Sequence, residues 1–450
     1  MMFTAPRFVV VDDKKKHLDA ILSSFQRIGS PCIGILFNPA DEIDKNHFRG
    51  LRCLFLDLHL VGGQIGTDHK GDFARIQTIL EDNISENGGP FVLVMWTAHP
   101  HLKDQLTEYL ENNIDPELPH ARPLAIFSLP KEDFIPDLDS GDVKEPEKLR
   151  DAVQTAILSN PQLAALLGWE SDVLSAAGDT LASLLKLVPT DQRKSATFPH
   201  ALDTILSRLA REAVGRPNVE LNHRTAITTA LAPILADRVI NQQVTPETIA
   251  LWTRAVTRYN DETIKDASKE KAGYVNRMLH VAIPGAETIR PTDWGTVVDL
   301  EDTIWNSDDQ MCLIFDGTRS ELLKDEFKIK EEDHGKCRPC LVRVGAACDY
   351  AQKRRGPLTY LLGLEIPADL KREKGSKAPQ AEWKSPVMML NGDGRPFCLH
   401  VNVRFSISKS ASSCNGWTVR YRIREQLLMQ LLSHSNGYTA RPGIVQLLGK

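Results

Sequence analysis

Phe8-Val-Val-Val-Asp-Asp13 is the stretch that decides the fold: a short apolar run closed by two carboxylates. Four similar segments follow. They are the apolar run Pro31–Phe37, Leu54-Phe-Leu-Asp-Leu58, Phe91-Val-Leu-Val-Met-Trp-Thr-Ala98 and Leu124–Lys131. Between them lie helical patterns, with Leu18, Ile21, Leu22 and Phe25 in the first interval, Phe73, Ile76, Ile79 and Leu80 in the third, and Leu102, Leu106, Tyr109 and Leu110 in the fourth. Short apolar strands alternating with amphipathic helices imply a doubly wound, five-stranded parallel sheet covered on both faces. A parallel sheet of this kind presents Asp12, Asp13, Asp57, Thr97 and Lys131 at one edge, each just past or at the end of a strand.

The rest of the chain reads differently. Length alone, 450 residues, suggests roughly three domains at ~150 residues each. Residues 1–140 form the first, with a Gly-rich loop at Val61–Gly66 and an acidic linker at Asp137–Glu147. Residues 148–280 carry apolar stripes at helical spacing, among them Leu181 with Leu184 and Leu185, Leu202 with Ile205 and Leu206, Ile234 with Leu235, and Ile249 with Trp252. A helical bundle is the economical reading of these stripes. Residues 285–450 turn to period two at Val342–Val344, Leu358–Ile366, Leu399–Ser406 and Trp417–Ile423, and a helix is expected over Glu425–Leu432. Lys371–Lys377 reads as a solvated loop, and the last third as a mixed α+β domain.

Composition narrows the function classes. A hydrophobic fraction of 42% with 25% charged residues is that of a folded chain, and a net charge of -5 argues against a surface built to grip nucleic acid throughout. No apolar run approaches the ~20 residues that span a bilayer, and the amino-terminus lacks a signal-peptide core, so a cytoplasmic location and no membrane partner are expected. No nucleotide loop of the Gly-x₄-Gly-Lys-Ser/Thr type is present.

The five amino-terminal segments resemble, in order, the phosphate-accepting pocket of response-regulator receiver domains. That family carries an acidic pair after the first strand, the phospho-accepting aspartate after the third, Thr or Ser after the fourth and Lys after the fifth. The corresponding residues are Asp12 and Asp13, Asp57, Thr97 and Lys131, and Leu129-Pro-Lys131 resembles the family's Leu-Pro-Lys. The resemblance implies phosphoryl transfer to Asp57 from a histidine kinase. It also implies Mg2+ held by Asp12, Asp13 and Asp57, with the backbone carbonyl of His59 as a further ligand, and output to a downstream effector protein. The chain departs from the family at Glu132, where proline is usual, at Ser128, often aromatic, and in longer intervals from Asp57 to Thr97 and from Thr97 to Lys131. Haloacid-dehalogenase-like phosphatases also place an aspartate after an apolar strand, but they need a second acid where this chain has His59.

Two other readings stay open. In one, the pocket is inert to phosphorylation and the domain is a dimerisation or interaction scaffold, a homodimer included. In the other, the last third is a metal- or nucleic-acid-binding effector. His334, Cys337, Cys340 and Cys348 are the candidate Zn2+ set there, with core thiols as the alternative. Arg420, Arg422 and Arg424 alternate with apolar residues and would share one strand face, either cradling an anion or pairing with local carboxylates. The segments Ala347–Gln352, Arg420–Gln426 and Ala440–Gly443 resemble a module that accompanies divergent receivers in bacterial conflict systems, which implies a phosphate sink or regulator in anti-phage defence.

Overall fold

The computed structural model of the protein describes residues 7–60, 69–86, 88–134, 145–261, 267–285, 288–351, 355–370, 379–390 and 394–441. The Gly-rich loop at Val61–Gly66, most of the acidic linker, the loop Lys371–Lys377 and the end of Ala440–Gly443 lie outside them. The chain forms two compact units, Met1–Ala182 with Leu235–Asn260, and Ser183–Ile234 with Asp261–Lys450.

The first unit contains an all-parallel sheet of β1 (Phe8–Asp12), β2 (Cys32–Leu36), β3 (Cys53–Asp57), β4 (Val92–Thr97) and β5 (Ala125–Pro130), in the spatial order β2-β1-β3-β4-β5. Its central strands are buried on both sides, which is why they read as continuous apolar runs. Alternate residues divide between two cores. Val9, Val11, Leu54, Leu56, Leu93 and Met95 pack against Phe73, Ile76 and Leu80 of α2 (Lys70–Asn83) and Leu106 and Leu110 of α3 (Lys103–Asn113). Val10, Phe55, Val94 and Trp96 pack against Leu18, Ile21 and Phe25 of α1 (Lys15–Arg27). Leu149 and Val153 of α4 (Pro146–Leu158) and Leu163 of α5 (Pro161–Lys186) complete that second layer.

Two glycines fix how α1 docks. Gly29, at φ 73°, ends the helix in a left-handed turn, with its N–H on the Gln26 carbonyl and that of Ser30 on Phe25. Gly34 in β2 lets Leu22 and Leu18 approach so closely that a Cβ there would stand 2.6 and 2.9 Å from their methyls. Each large side chain buried in these layers contributes about 1.5–3 kcal/mol.

The periodic stripes of the middle do form helices: α5, then α6 (Phe198–Val214), α7 (Arg216–Val219), α8 (His223–Ile240), α9 (Pro246–Ala255) and α10 (Lys269–His280). Among the described residues these stripes do not close on one shared core. Leu181, Leu185, Ile234 and Ile249 are exposed, and what α6 and α8 bury is small: Ala201, Ala210 and Ala226. An apolar stripe is needed to bury a helix, but it does not supply the partner.

The last third holds a seven-stranded sheet. Its strands are β6 (Val281–Ala282), β7 (Thr296–Asp299), β8 (Arg338–Val344), β9 (Leu358–Pro367), β10 (Glu382–Lys384), β11 (Phe397–Lys409) and β12 (Val419–Ile423). They run antiparallel in the order β10-β11-β9-β8-β7-β12-β6. One face packs Val342, Leu399, Val401 and Tyr421 against Leu427, Leu428 and Leu431 of the helix Glu425–Thr439. The other packs Leu341, Leu362 and Leu364 against Met311, Phe315 and Phe327.

Candidate functional site at the carboxyl edge of the parallel sheet

In the parallel sheet, β1 has β2 on one side and β3 on the other, so the connections after β1 and β3 leave the carboxyl edge in opposite directions, which makes this edge the topological switch point of the sheet. Asp12 ends β1, and Asp13 follows it into the turn before α1. Asp57 ends β3, paired in register with Trp96, and Thr97 ends β4 opposite Pro130. Lys131 is the first residue beyond β5.

Four of these residues, Asp12, Asp13, Asp57 and Lys131, come together. One carboxylate oxygen from each of Asp12, Asp13 and Asp57 lies within 4.8 Å of the others. The Lys131 ammonium donates to Asp57 Oδ2 at 2.7 Å and to Asp12 Oδ2 at 2.8 Å. All three of those side chains are buried. The remaining oxygens of the pair are partly used: Asp12 Oδ1 accepts from the Lys14 N–H at 2.9 Å, and Asp57 Oδ1 from the His59 N–H at 3.4 Å. Thr97 is fully buried, and its hydroxyl oxygen accepts from the His99 N–H at 3.1 Å.

Charge in the pocket is not balanced. Three carboxylates face one ammonium, and Asp13 Oδ1 is buried with no hydrogen-bond partner among the described residues. Burial pushes the Asp57 carboxyl up to about 6; the Asp12 charge adds to that rise and Lys131 opposes it. An orphaned carboxylate oxygen beside two other carboxylates is a donor set that suits a hard divalent cation.

Two further groups stand beside these residues, and neither His17 nor the meeting of His59 and His69 at Asp72 was expected from the sequence. His17, on the buried face of α1, places Nδ1 3.3 Å from the Lys131 ammonium and 4.0 Å from Asp12 Oδ1. Its position one turn before Ile21 on the apolar stripe was the available signal. The second group is a set of histidines at the same edge. His59 Nδ1 stands 3.0 Å from Asp72 Oδ2, and His69 Nδ1 stands 3.7 Å from that same oxygen. The His99 ring lies 5.0 Å from that of His59 and 6.5 Å from that of His69, centroid to centroid, and His101 lies 5.8 Å from His99. Partial burial, then the neighbouring His59, His101 and His69, hold the His99 imidazole below its usual range.

The zinc set does not assemble. Arg338–Val344 is a strand, and Cys337 and Cys340, three residues apart, fall on opposite faces of its sheet. The Cys340 thiol is enclosed beneath Gly363, where an added Cβ would stand 3.1 Å from its sulfur. Cys337 Sγ donates to the Asp333 carbonyl, His334 Nε2 lies 3.2 Å from the Ile329 carbonyl, and Cys348 is exposed on the short helix Ala347–Ala351. Burial pushes the Cys337 thiol up to about 11, away from the thiolate that zinc requires. A Cys-x₂-Cys pair grips a metal from a turn, and here an extended backbone replaces the turn.

Nor is Arg420 free to hold an anion. It forks onto Glu365 at 2.8 and 2.5 Å and reaches Asp299 at 3.4 Å, inside the sheet rather than on a solvated face. Arg424 donates to the Val281 carbonyl at 3.3 Å. No protein-family model, curated protein or solved structure matches this chain.

Proposed function

We propose that this chain is a phosphorelay protein whose receiver-like first domain accepts a phosphoryl group on Asp57 in the presence of Mg2+. The observation that carries the reading is the meeting of Asp12, Asp13, Asp57 and Lys131 in one under-neutralised pocket at the switch point of a parallel sheet. Asp12, Asp13 and Asp57 would hold the cation. Bound there, it supplies the positive charge that lets a carboxylate and a phosphoryl group approach.

The chain's own residues do the rest. The ionised Asp57 attacks phosphorus; an oxygen–phosphorus bond forms as the bond to the donor's leaving group breaks, and that group departs with the electron pair. Lys131, already at hydrogen-bond distance from Asp57, pairs with an oxygen of the new phosphoryl group. The Thr97 hydroxyl donates to another, and the added charge repacks the face around β4 and β5. A phosphohistidine of a histidine kinase is the donor this chemistry fits, and output runs through contact with an effector protein. The resemblance of the last third to a module of bacterial conflict systems extends the reading to a phosphate sink or regulator in anti-phage defence.

The test uses the full chain with acetyl phosphate and Mg2+, read by intact mass and by Mg2+-dependent binding of beryllofluoride. The expected result is one added phosphoryl group that is lost in Asp57→Asn and on chelation. A parent that gains no mass and binds no beryllofluoride would leave the pocket as part of an interaction scaffold and overturn the proposal. So would an Asp57→Asn protein that behaves like the parent.

A further inference from the structure

We infer that His59, His69 and Asp72 form a second metal site, distinct from the acidic pocket and suited to a late first-row divalent ion such as Zn2+ or Co2+. One ligand atom from each of the three lies within 4.8 Å of the other two. In a tetrahedral zinc site with Zn–N near 2.0–2.1 Å, donor atoms stand about 3.3–3.4 Å apart. The two imidazole-to-carboxylate distances, 3.0 and 3.7 Å, straddle that spacing.

The donor chemistry separates this site from its neighbour. Asp12, Asp13 and Asp57 offer only oxygen, which suits Mg2+; two imidazoles with one carboxylate suit borderline ions instead. An ordinary ion pair would account for one imidazole on Asp72. It does not account for two imidazoles aimed at the same oxygen, with the His99 ring set edge-on to His59 at 5.0 Å. Asp72 also has the support a ligand needs, since its other oxygen, Oδ1, lies 3.6 Å from Arg75 Nη1.

Placement favours a site that can fill and empty. His59, His69 and Asp72 are all half-buried, so an ion can enter from solvent without unfolding. His59 follows the end of β3, and His69 and Asp72 sit at the start of α2, so one ion would tie the strand that carries Asp57 to the helix that covers the sheet. The site stands whether or not Asp57 accepts a phosphoryl group.

The deciding experiment is a Co2+ titration of the full chain in excess Mg2+, followed by its visible d–d absorption and by competition with Zn2+. One equivalent is expected to bind. His59→Ala, His69→Ala and Asp72→Asn should each weaken binding about 10- to 100-fold, the range typical of a damaged ligand set. Asp13→Asn, which alters the acidic pocket, should leave Co2+ affinity unchanged. Because the three side chains are half-buried, circular dichroism should show the variants folded. Binding unchanged in the His59→Ala/His69→Ala double variant would overturn the proposal, and so would binding abolished by Asp13→Asn.

Discussion

Two buried clusters of charge, one in each sheet, are built to opposite ends. In the antiparallel sheet, Arg420 forks onto both oxygens of Glu365 and touches Asp299, which Arg338 also holds at 3.0 Å. In the parallel sheet, one ammonium serves Asp12 and Asp57 while a buried oxygen of Asp13 has no partner among the described residues. At the centre of the first cluster the Arg420–Glu365 pair is closed: the guanidinium fork and both carboxylate oxygens are spent on each other, as a structural ion pair requires. The second is left short of positive charge at the switch point, where a cation and a phosphoryl group could complete it. The difference between them, rather than the burial of charge as such, is what makes the second the candidate site.

The largest effect should come from opening the closed cluster. Arg420→Ala removes the guanidinium that matches both oxygens of the buried Glu365 carboxylate and should cost about 3–5 kcal/mol of stability. Urea unfolding of the full chain would read this, with hydrogen exchange localising the loss of protection to β9 and β12. Arg420→Met combined with Glu365→Gln should recover most of it, because no charge is then left unpaired. A single-variant cost under about 1 kcal/mol, the value of an exposed pair, would erase the contrast between the two clusters.

The open cluster should respond in the other direction. Asp13→Asn removes one of three crowded carboxylates, so the cation-free protein should be as stable as the parent or slightly more so. What the variant should lose is stabilisation by Mg2+. An ion at tenfold its dissociation constant stabilises by about 1.4 kcal/mol, and a thermal melt with millimolar Mg2+ should show that rise in the parent alone. An Asp13→Asn protein that melts well below the parent without divalent ions would mean the pocket is structural after all.

How much of this was legible depended on how local each signal is. Central parallel strands announce themselves as unbroken apolar runs, and whatever ends them lands on one edge. That made Asp12, Asp57, Thr97 and Lys131 readable as a set before any distance was known. His59, His69 and Asp72 were not readable, because their meeting depends on how α2 starts relative to β3, and no periodicity encodes that. Cys337 and Cys340 misled for the converse reason: their spacing suggests a turn, but the apolar alternation of Leu341–Val344 carries the strand back through Cys340. Strands as short as Val281–Ala282 leave no period to detect. The stripes of α5, α8 and α9 gave the helices but not the packing, since amphipathicity says which face is apolar and not what covers it.

A third cluster lies between the two extremes and should show the smallest effect. Glu170 of α5 accepts from Arg52 at 2.8 and 3.0 Å and pairs with Arg7 at 2.8 Å, so its charge is fully matched, but its side chain keeps 31% of its exposure. The hydrogen bonds from Arg52, helped by the charges of Arg52 and Arg7, hold its carboxyl below the usual range. A depressed carboxyl adds stability that is complete above the unfolded-state value and disappears as pH falls through the folded-state one. Solvent screening keeps the contribution below about 1 kcal/mol. Glu170→Gln should therefore melt slightly below the parent at neutral pH, with the gap shrinking in high salt and closing as the solution is acidified past the ordinary carboxylate range. A gap that persists unchanged in acid would show that Glu170 acts through packing, and matched charge at a wet surface would then cease to be the middle case between a closed cluster and an open one.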